Sequence, residues 1–345
     1  MMQESANTLQ APCRSQNYNG IDAMKFICAL FVVMGHIPLL NPAATDTYTP
    51  LARAITFWLD SAVCRLVNPF YFVCAGFFLF RKMPENTLDG SRAKDYCFKL
   101  CKLYGIWTVL LFTGGNWHLW FLCATVVGVA LLSVLLYKHI KPTLLILIAC
   151  VLYCMGILGA SYFRFIEPVV SRGIANRLYT LYTFIVKNPR NGLFLAFPYI
   201  LMGYFFAQEK IKLKPWISLV GFVLSWLCLI GEILLLGDHK TLTNSDLLLS
   251  YVPVTFFLFA FVSSLSLKDR PIYKKLRVVG LLVYFLHIFV HSFFVFCIKF
   301  LYNTYKIDLY PFRFPIVLCI TLLWAFTIEW LSNKEKFKWI RWFLA

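Results

Sequence analysis

Residues 17–40 read NYNGIDAMKFICALFVVMGHIPLL, and this stretch decides the class of fold. From residue 23 onward it is almost wholly apolar, and a helix needs about 20 apolar residues to cross the hydrocarbon of a bilayer. The stretch therefore predicts a membrane-spanning helix. The polar residues before it lack the basic start, apolar middle and cleavage site of a signal peptide, so we expect this helix to remain in the mature protein.

The composition extends this prediction to the whole chain. Of the 345 residues, 60% are apolar and only 14% are charged, a balance that a soluble domain could not cover with polar surface. Apolar stretches recur to residue 332 without a polar segment long enough for a separate domain. We therefore predict an all-α, polytopic transmembrane helix bundle with about ten helices. The predicted spans are approximately 23–40, 62–80, 96–113, 118–137, 142–161, 192–208, 215–236, 247–266, 278–300 and 312–332.

Charge placement predicts the domains and their orientation. Residues 1–20 are expected to form a flexible cytoplasmic N-terminus, 21–333 one membrane domain and 334–345 a basic cytoplasmic tail. With the N-terminus inside, 22 of the 33 Lys and Arg residues fall in cytoplasmic segments. An even number of spans then leaves both termini in the cytoplasm of a multi-pass cell-membrane protein. The net charge of +17 is explained by these loops and does not predict nucleic-acid binding.

The twelve cysteines give no indication of a metal site. Most lie inside apolar spans, with no CxxC pair and no Cys/His zinc spacing, as expected for small buried side chains. We predict no bound metal. The oligomeric state is left open by the sequence.

The first span carries ionisable residues that are costly within a membrane. Asp22 and Lys25 are three residues apart and are predicted to pair near the cytoplasmic surface. His36 follows Lys25 by eleven residues, which returns it to nearly the same helix face roughly 16 Å further across the bilayer. His36 is thus a candidate for catalysis or proton relay, the alternative being a packed histidine bonded to a backbone carbonyl.

A second cluster of cations lies at the cytoplasmic start of the third predicted span. Lys99 and Lys102 are three residues apart and follow Arg81 and Lys82, forming a compact basic patch. Ordinary anchoring against lipid headgroups is one reading of this patch. Binding of an anionic, phosphate-bearing ligand from the cytoplasm is the other.

At these residues the chain resembles the acyltransferase 3 family of integral membrane acyltransferases, which modify cell-surface glycans. The family's opening helix carries a basic residue, ten intervening residues and a histidine, matched here by Lys25 and His36. Lys99 and Lys102 match its basic-x-x-basic motif. Further similar segments are PFYFVCAGFFLF (69–80), HLWFL (118–122), PYILMGYFF (198–206) and VYFLH (283–287).

The resemblance implies an O-acyltransferase with an acetyl-CoA or other acyl-CoA donor and a hydroxyl acceptor on an extracytoplasmic glycan or lipid-linked sugar. Lys25, Lys99 and Lys102 would hold the phosphates with help from Arg81 and Lys82. His36 would serve as general base or as a transient acyl carrier. Asp22 would orient Lys25.

The same resemblance suggests residues on the acceptor side and also departs from the family pattern. Lysines replace the arginines common in the family, which removes bidentate phosphate recognition. The glutamate expected soon after the HLW-like segment is absent, so the acid partner of His36 is unassigned. The acceptor-side candidates are His118, Trp120, Arg164, Arg172, Glu232 and His287. The alternatives for these residues are interfacial anchors, a solvated outer loop over 162–191, a solvated helix end and a packed histidine.

Two other functions remain open at this point. A transporter or flippase for a polysaccharide or lipid-linked intermediate could use the same polar interior without covalent chemistry. A non-catalytic membrane subunit that anchors a partner is the third possibility. The lipid bilayer is an expected partner in all three.

Overall fold

The computed structural model describes residues 18–37, 39, 49–81, 83, 89–110, 117–209, 211–236, 246–307 and 309–343. All regular structure within these residues is helical, and it includes thirteen α-helices. They are α1 Asn19–His36, α2 Pro50–Trp58, α3 Val67–Phe80, α4 Gly90–Leu110, α5 Trp120–Tyr137, α6 Pro142–Leu158, α7 Phe163–Val170, α8 Gly173–Val186, α9 Phe197–Ala207, α10 Pro215–Leu236, α11 Tyr251–Ser264, α12 Pro271–Tyr305 and α13 Arg313–Ser332. A 3₁₀ segment follows at Glu335–Phe343.

The protein is an all-α, multi-pass membrane helix bundle, but the predicted count of ten spans is too high. Six helical segments of the described chain are long and apolar enough to cross a membrane, or seven if the bent pair α6 and α7 is one span. Two predicted spans are shorter apolar helices, Gly192–Ala207 and Tyr251–Ser264. The third, α4, carries too many charges in its first turns. The predicted outer loop 162–191 is not irregular, because it contains α7 and α8; its position outside the cytoplasm stays a prediction.

The central contact of the bundle is the packing of α3 against α9, and glycines make it possible. A Cβ built on Gly76 would overlap the carbonyl oxygen of Ile200, and one built on Gly203 would overlap the carbonyl oxygen of Val73. The two backbones can approach this closely only because neither glycine has a side chain. Large aromatic side chains such as Phe72 fill the core around this contact.

Two widened helical turns precede the helices of this contact. A π-helical turn at Leu59–Val63, followed by a 3₁₀ turn at Cys64–Leu66, joins α2 to α3, and a second π-helical turn at Gly192–Ala196 leads into α9. Side chains of neighbouring helices donate hydrogen bonds to backbone carbonyl groups in the first of these π-helical turns. Trp226 Nε1 donates to the Ala62 oxygen at 3.3 Å and Tyr251 Oη to the Ser61 oxygen at 2.7 Å. Backbone groups in a bilayer need such partners.

The segment before α11, residues 246–250, is held by buried hydrogen bonds from several helices. Glu232 of α10 accepts the backbone N–H groups of Leu249 and Ser250, both at 2.7 Å. Tyr153 Oη of α6 donates to the Leu248 oxygen at 2.5 Å, and Ser161 Oγ donates to the Leu247 oxygen. An irregular segment at membrane depth is tolerated where protein groups satisfy it in this way.

Candidate functional site

Three histidines that are distant in the sequence meet in the structure. His36 ends α1, His118 lies in the 3₁₀ turn before α5, and His287 lies in the middle of α12. The His36 and His287 rings are stacked with centroids 5.2 Å apart, and the His118 and His287 rings meet edge to face at 5.3 Å. Tyr284 Oη donates a hydrogen bond to the backbone carbonyl oxygen of His118 at 3.0 Å. The three histidines that the sequence analysis singled out therefore form one cluster.

His287 has one nitrogen committed to the backbone and one available. Its Nδ1 lies 3.0 Å from the Val283 carbonyl oxygen, which only accepts hydrogen bonds, so Nδ1 carries the proton in the neutral ring. Nε2 then presents a lone pair. The side chain is fully buried, and Nε2 has no hydrogen-bond partner among the described residues. A buried acceptor left without a partner costs about 1–3 kcal/mol, which points to a ligand at this atom.

A network of charged side chains lies beside the histidines. Asp246 is buried and accepts hydrogen bonds from Arg65 Nη1 and Asn68 Nδ2, both at 3.0 Å. Arg65 binds Oδ1 of this carboxylate, whereas Asn68 binds Oδ2, and the Arg190 Nε atom also lies 2.5 Å from Oδ2. Arg65 also binds Asp60 at 3.0 Å. Two arginines are thus balanced by two aspartates, and the formal charges of the network cancel.

The charged network and the histidine cluster form a single polar region. His36 interacts electrostatically with His118 of the cluster and with Arg190, Arg65 and Asp246 of the network. Arg190 also stacks on Trp120, with its guanidinium carbon 4.3 Å from the ring centroid. We call the six residues His36, Arg65, His118, Arg190, Asp246 and His287 the polar core.

Asp246 remains ionised in this setting. Burial works against ionisation of its carboxyl group, but Arg190 and Arg65 outweigh burial, and the pKa of Asp246 lies below its ordinary value. The carboxylate therefore keeps its charge at neutral pH and holds both guanidinium groups in place. It lies outside the helices, at the start of the segment that leads into α11.

Asp22 does not pair with Lys25 as the sequence analysis predicted. Its carboxylate binds Arg277 of α12, with Nε at 2.8 Å, in a bidentate ion pair. The Lys25 ammonium instead lies 5.4 Å from the centroid of the Phe78 ring. The planar guanidinium matches both carboxylate oxygens at once, which a lysine three residues along the same helix cannot do.

Two described cations of the predicted basic patch contact different aromatic rings. Arg81 stacks on Tyr18 at 4.3 Å, near Lys25, whereas Lys102 lies 4.4 Å above the Trp342 ring of the C-terminal segment. Lys99 is exposed, and Lys82 lies outside the described residues. Arg81, at the end of α3, and Lys102 each lie over an aromatic ring, as anchoring residues do.

The remaining acceptor-side candidates do not all lie at one site. Glu232 is not a solvated helix end but is buried, accepting from Tyr162 Oη at 2.5 Å and from the backbone before α11. Arg164 donates to the carbonyl oxygens of Leu236 at 2.9 Å and Leu235 at 3.2 Å. Arg172 is exposed between α7 and α8. Of this set, His118 and His287 belong to the polar core, and Trp120 borders it.

The sequence analysis missed Arg65 and Asp246 and gave Arg190 no role in a buried site. Arg65 lies within a predicted apolar span, where an ionisable residue is itself a signal of function or of a buried partner. Its partner Asp246 is 181 residues away, so no local spacing links the two. Within the described residues, no group of three or more His, Cys, Asp or Glu side chains is arranged to hold a metal ion.

Comparison with known proteins gives similarity to racemases. The chain is 25% identical over 275 residues to an amino-acid racemase of Enterococcus faecalis, covering 71% of this chain and 36% of that protein. A second amino-acid racemase of Enterococcus faecalis is 24% identical over 308 residues, covering 79% and 42%. A serine/alanine racemase of Enterococcus gallinarum is 25% identical over 297 residues, covering 78% and 40%. The chain spans about two fifths of the length of these relatives.

No family model matches the chain, and no solved structure matches it. The curated relatives overturn the functional predictions made from the resemblance to acyltransferase 3. Racemases are isomerases, so the predictions of an acyltransferase, an acyl-CoA donor and O-acetylation of a surface glycan are wrong. The alternative of a polysaccharide or lipid-intermediate transporter gains no support from these relatives either.

Proposed function

We propose that this chain is the membrane-embedded module of an amino-acid racemase system and that its polar core binds the amino acid. Support comes from three relatives named as racemases, each matching more than two thirds of this chain. One of them is named for serine and alanine, so we infer a small amino acid as the ligand.

The observation that carries this proposal is the buried, unpartnered Nε2 atom of His287 beside a charge-balanced network. An amino acid at neutral pH is a zwitterion with no net charge. Its ammonium group can donate to the His287 lone pair, and its carboxylate is suited to a guanidinium of the network. Because the charges of the network already cancel, a neutral zwitterion leaves no uncompensated charge in the core.

The geometry favours binding over proton transfer by this chain. In a two-base racemisation, removal of the α-proton on one face and its return on the other need an acid and a base on opposite sides of one carbon. The His36 and His287 rings lie face to face with an interplanar angle of 12°, so their ring nitrogens do not point at a carbon between them. We therefore assign the histidines to substrate binding.

The core is also a poor fit for a pyridoxal-type cofactor, which is held through a lysine amine. On the two helices that carry His36 and His287, every lysine lies at least eleven residues from the histidine, roughly 16 Å or more along the axis.

The amino acid must displace part of the core to enter. A cavity of about 20 Å³ beside it, lined by Asp60, Cys64 and apolar side chains, has room for about one water molecule. Arg190 lies on the irregular segment between α8 and the π-helical turn before α9, so we infer that this side chain moves outward to admit the ligand.

We further propose that the protein lies in the cell membrane with both termini in the cytoplasm. Support comes from the Lys and Arg residues that follow α3 and α13, at ends that this orientation places in the cytoplasm, and from the six long apolar segments, an even number that returns the chain to the side where it began. The polar core then lies toward the extracytoplasmic side, since α1 begins inside and ends at His36.

Binding can be tested on the purified chain in nanodiscs by titration with L-serine, D-serine, L-alanine and D-alanine. Lactate, which lacks the ammonium group, and ethanolamine, which lacks the carboxylate, are the ligand controls. We expect the amino acids to bind at least tenfold more tightly than either control, because both charged groups are needed.

The matched variants are His287→Asn and His139→Asn, the second of which changes an exposed histidine in the turn before α6. We expect about tenfold weaker binding or more in the first and unchanged binding in the second. Failure of all four amino acids to bind, or equal binding by both variants, would refute the proposal. Exchange of the α-proton for deuterium by this chain, lost in His36→Asn, would contradict a binding-only role.

A further inference from the structure

The helices α7 and α8 form an elbow at the end of the bundle that carries the polar core. The axis of α7 bends 80° away from that of α6. With α6 taken to cross the bilayer, α7 runs close to the membrane plane. The elbow is fixed to the bundle through aromatic side chains. Tyr179 stacks on Phe163 at 4.9 Å, and Tyr182 Oη donates to the Met155 carbonyl oxygen at 3.1 Å.

One face of α8 packs against the rest of the protein, and a neighbouring face does not. Ala175, Tyr179, Tyr182 and Val186, spaced by four, three and four residues, are partly buried. Leu178 and Leu181 are 62% and 54% exposed. The exposed apolar stripe consists of Ile174, Leu178, Leu181 and Ile185. This stripe differs from the lipid-facing stripes of the spanning helices, because α8 directly follows α7, which runs along the membrane.

Cations lie next to this stripe. Arg172 and Arg177 are exposed and form no ion pair with a described residue. Residues 162–191 contain five Lys and Arg residues and one acidic residue, Glu167. Two of the five, Arg164 and Arg190, are engaged with the bundle. The surface left at the elbow is therefore apolar on one face of α8 and cationic beside it.

We propose that the elbow lies in the bilayer interface and binds anionic phospholipid. The stripe Ile174, Leu178, Leu181 and Ile185 contacts acyl chains, and Arg172 and Arg177 contact the phosphates of the headgroups. An amphipathic helix with basic residues beside its apolar face binds membranes in this way. Charge complementarity selects an anionic lipid over a zwitterionic one. This inference does not depend on the proposed binding of an amino acid.

The test measures amide hydrogen exchange of residues 163–186 in nanodiscs of phosphatidylcholine, with and without phosphatidylglycerol. We expect slower exchange when the anionic lipid is present. In the variant Arg172→Gln/Arg177→Gln the difference between the two lipids should disappear, since two interfacial cations are worth about a 30-fold preference. The matched control, Lys336→Gln/Lys338→Gln, removes two cations from the C-terminal segment and should keep the difference.

The apolar stripe is tested separately with Leu178→Ser, which should speed exchange in both lipids. Equal exchange of the wild type in the two lipids would overturn the proposal. Protection that occurs only in discs holding two copies of the chain would also overturn it, because a second copy would then cover the stripe. The exchange of α9 in the same samples reports whether each variant is folded.

Discussion

Asp246 is the carboxylate between two largely buried guanidinium groups, and its replacement tests the charged network directly. The Arg65 and Arg190 side chains are only 16% and 24% exposed, and the Asp246 side chain is fully buried. Asp246→Asn keeps the shape of the side chain but removes the negative charge that it provides to Arg65 and Arg190. We expect the free energy of unfolding to fall by about 3–5 kcal/mol, measured by unfolding in detergent.

Asp89→Asn is the control for this variant. Asp89 also pairs with an arginine, Arg92 at 3.0 Å, but both side chains are exposed. An exposed pair is screened by solvent, and asparagine can still accept the hydrogen bond from the backbone N–H of Arg92 at the start of α4. We expect no change in stability. Equal losses of unfolding free energy in Asp246→Asn and Asp89→Asn would mean that burial does not strengthen the contribution of the network to stability.

The charged network also predicts a dependence of stability on pH. The pKa of Asp246 is lower in the folded protein than its ordinary value, because Arg190 and Arg65 outweigh the effect of burial. Its contribution is therefore complete above the unfolded pKa of about 3.9 and is lost as the pH falls through the folded value. Melting temperatures measured from pH 7 downward should stay level and then fall below about pH 4. Asp246→Asn should show a smaller fall.

At the level of residues, the sequence predicts part of the polar core. His36, His118 and His287 stand out because polar residues in apolar spans are rare, and the structure brings them together. Their chemistry was misjudged, since a basic residue and a histidine at a given spacing do not identify a reaction. Asp246 and Arg65 pair through folding alone, and a single sequence contains no signal for that pairing.

Among the helices, the contact between α3 and α9 gives the sharpest prediction. Gly76→Ala and Gly203→Ala each place a methyl group against a backbone carbonyl of the opposite helix. Backbone atoms cannot turn aside as a side chain would, so the helices must separate. We expect each variant to lose about 1–3 kcal/mol of unfolding free energy or to fail to accumulate in the membrane.

Gly231→Ala in α10 is the matched control, because a Cβ at Gly231 meets nothing within 4 Å. Alanine has the higher helix propensity, so this variant should be as stable as the wild type or slightly more stable. A similar loss in all three variants would show that glycine matters here for flexibility and not for close packing. Thermal unfolding in detergent, combined with expression level, separates these outcomes.

Helices are predicted well where the sequence is an unbroken apolar run, and poorly where apolar residues recur on only one face of the helix. The predicted span 215–236 coincides with α10. The helices α7 and α8 were taken for a loop, because five Lys and Arg residues and one Glu are spread through 162–191 and Pro168 and Gly173 interrupt the apolar runs. A helix lying along a membrane needs only one apolar stripe, which an average over twenty residues conceals.

For the whole molecule, the orientation in the membrane is a prediction that reporter fusions can check. Alkaline phosphatase is active only outside the cytoplasm, whereas green fluorescent protein fluoresces inside. We expect active phosphatase fused after Leu39, beyond the outer end of α1, and fluorescence from fusions after Met83 and at the C-terminus, because Lys and Arg residues, which favour the cytoplasm, follow α3 and α13. The reverse pattern would refute the orientation. Loss of signal from both reporters at one site would show that the fusion disrupts the fold. A fusion at a nearby residue would then determine the side of the membrane.

The π-helical turns at Leu59–Val63 and Gly192–Ala196 have a consequence for how this protein can change. Such a turn holds one residue more than an α-helical turn, so it shifts the phase of the following helix by about 100°. Deleting one residue from 59–63 would leave continuous helix but rotate Asn68 away from Asp246. The same deletion in 192–196 would rotate Gly203 away from Val73. The polar core and the glycine contact thus depend on chain length at two turns, and single-residue deletions there should be more damaging than most substitutions.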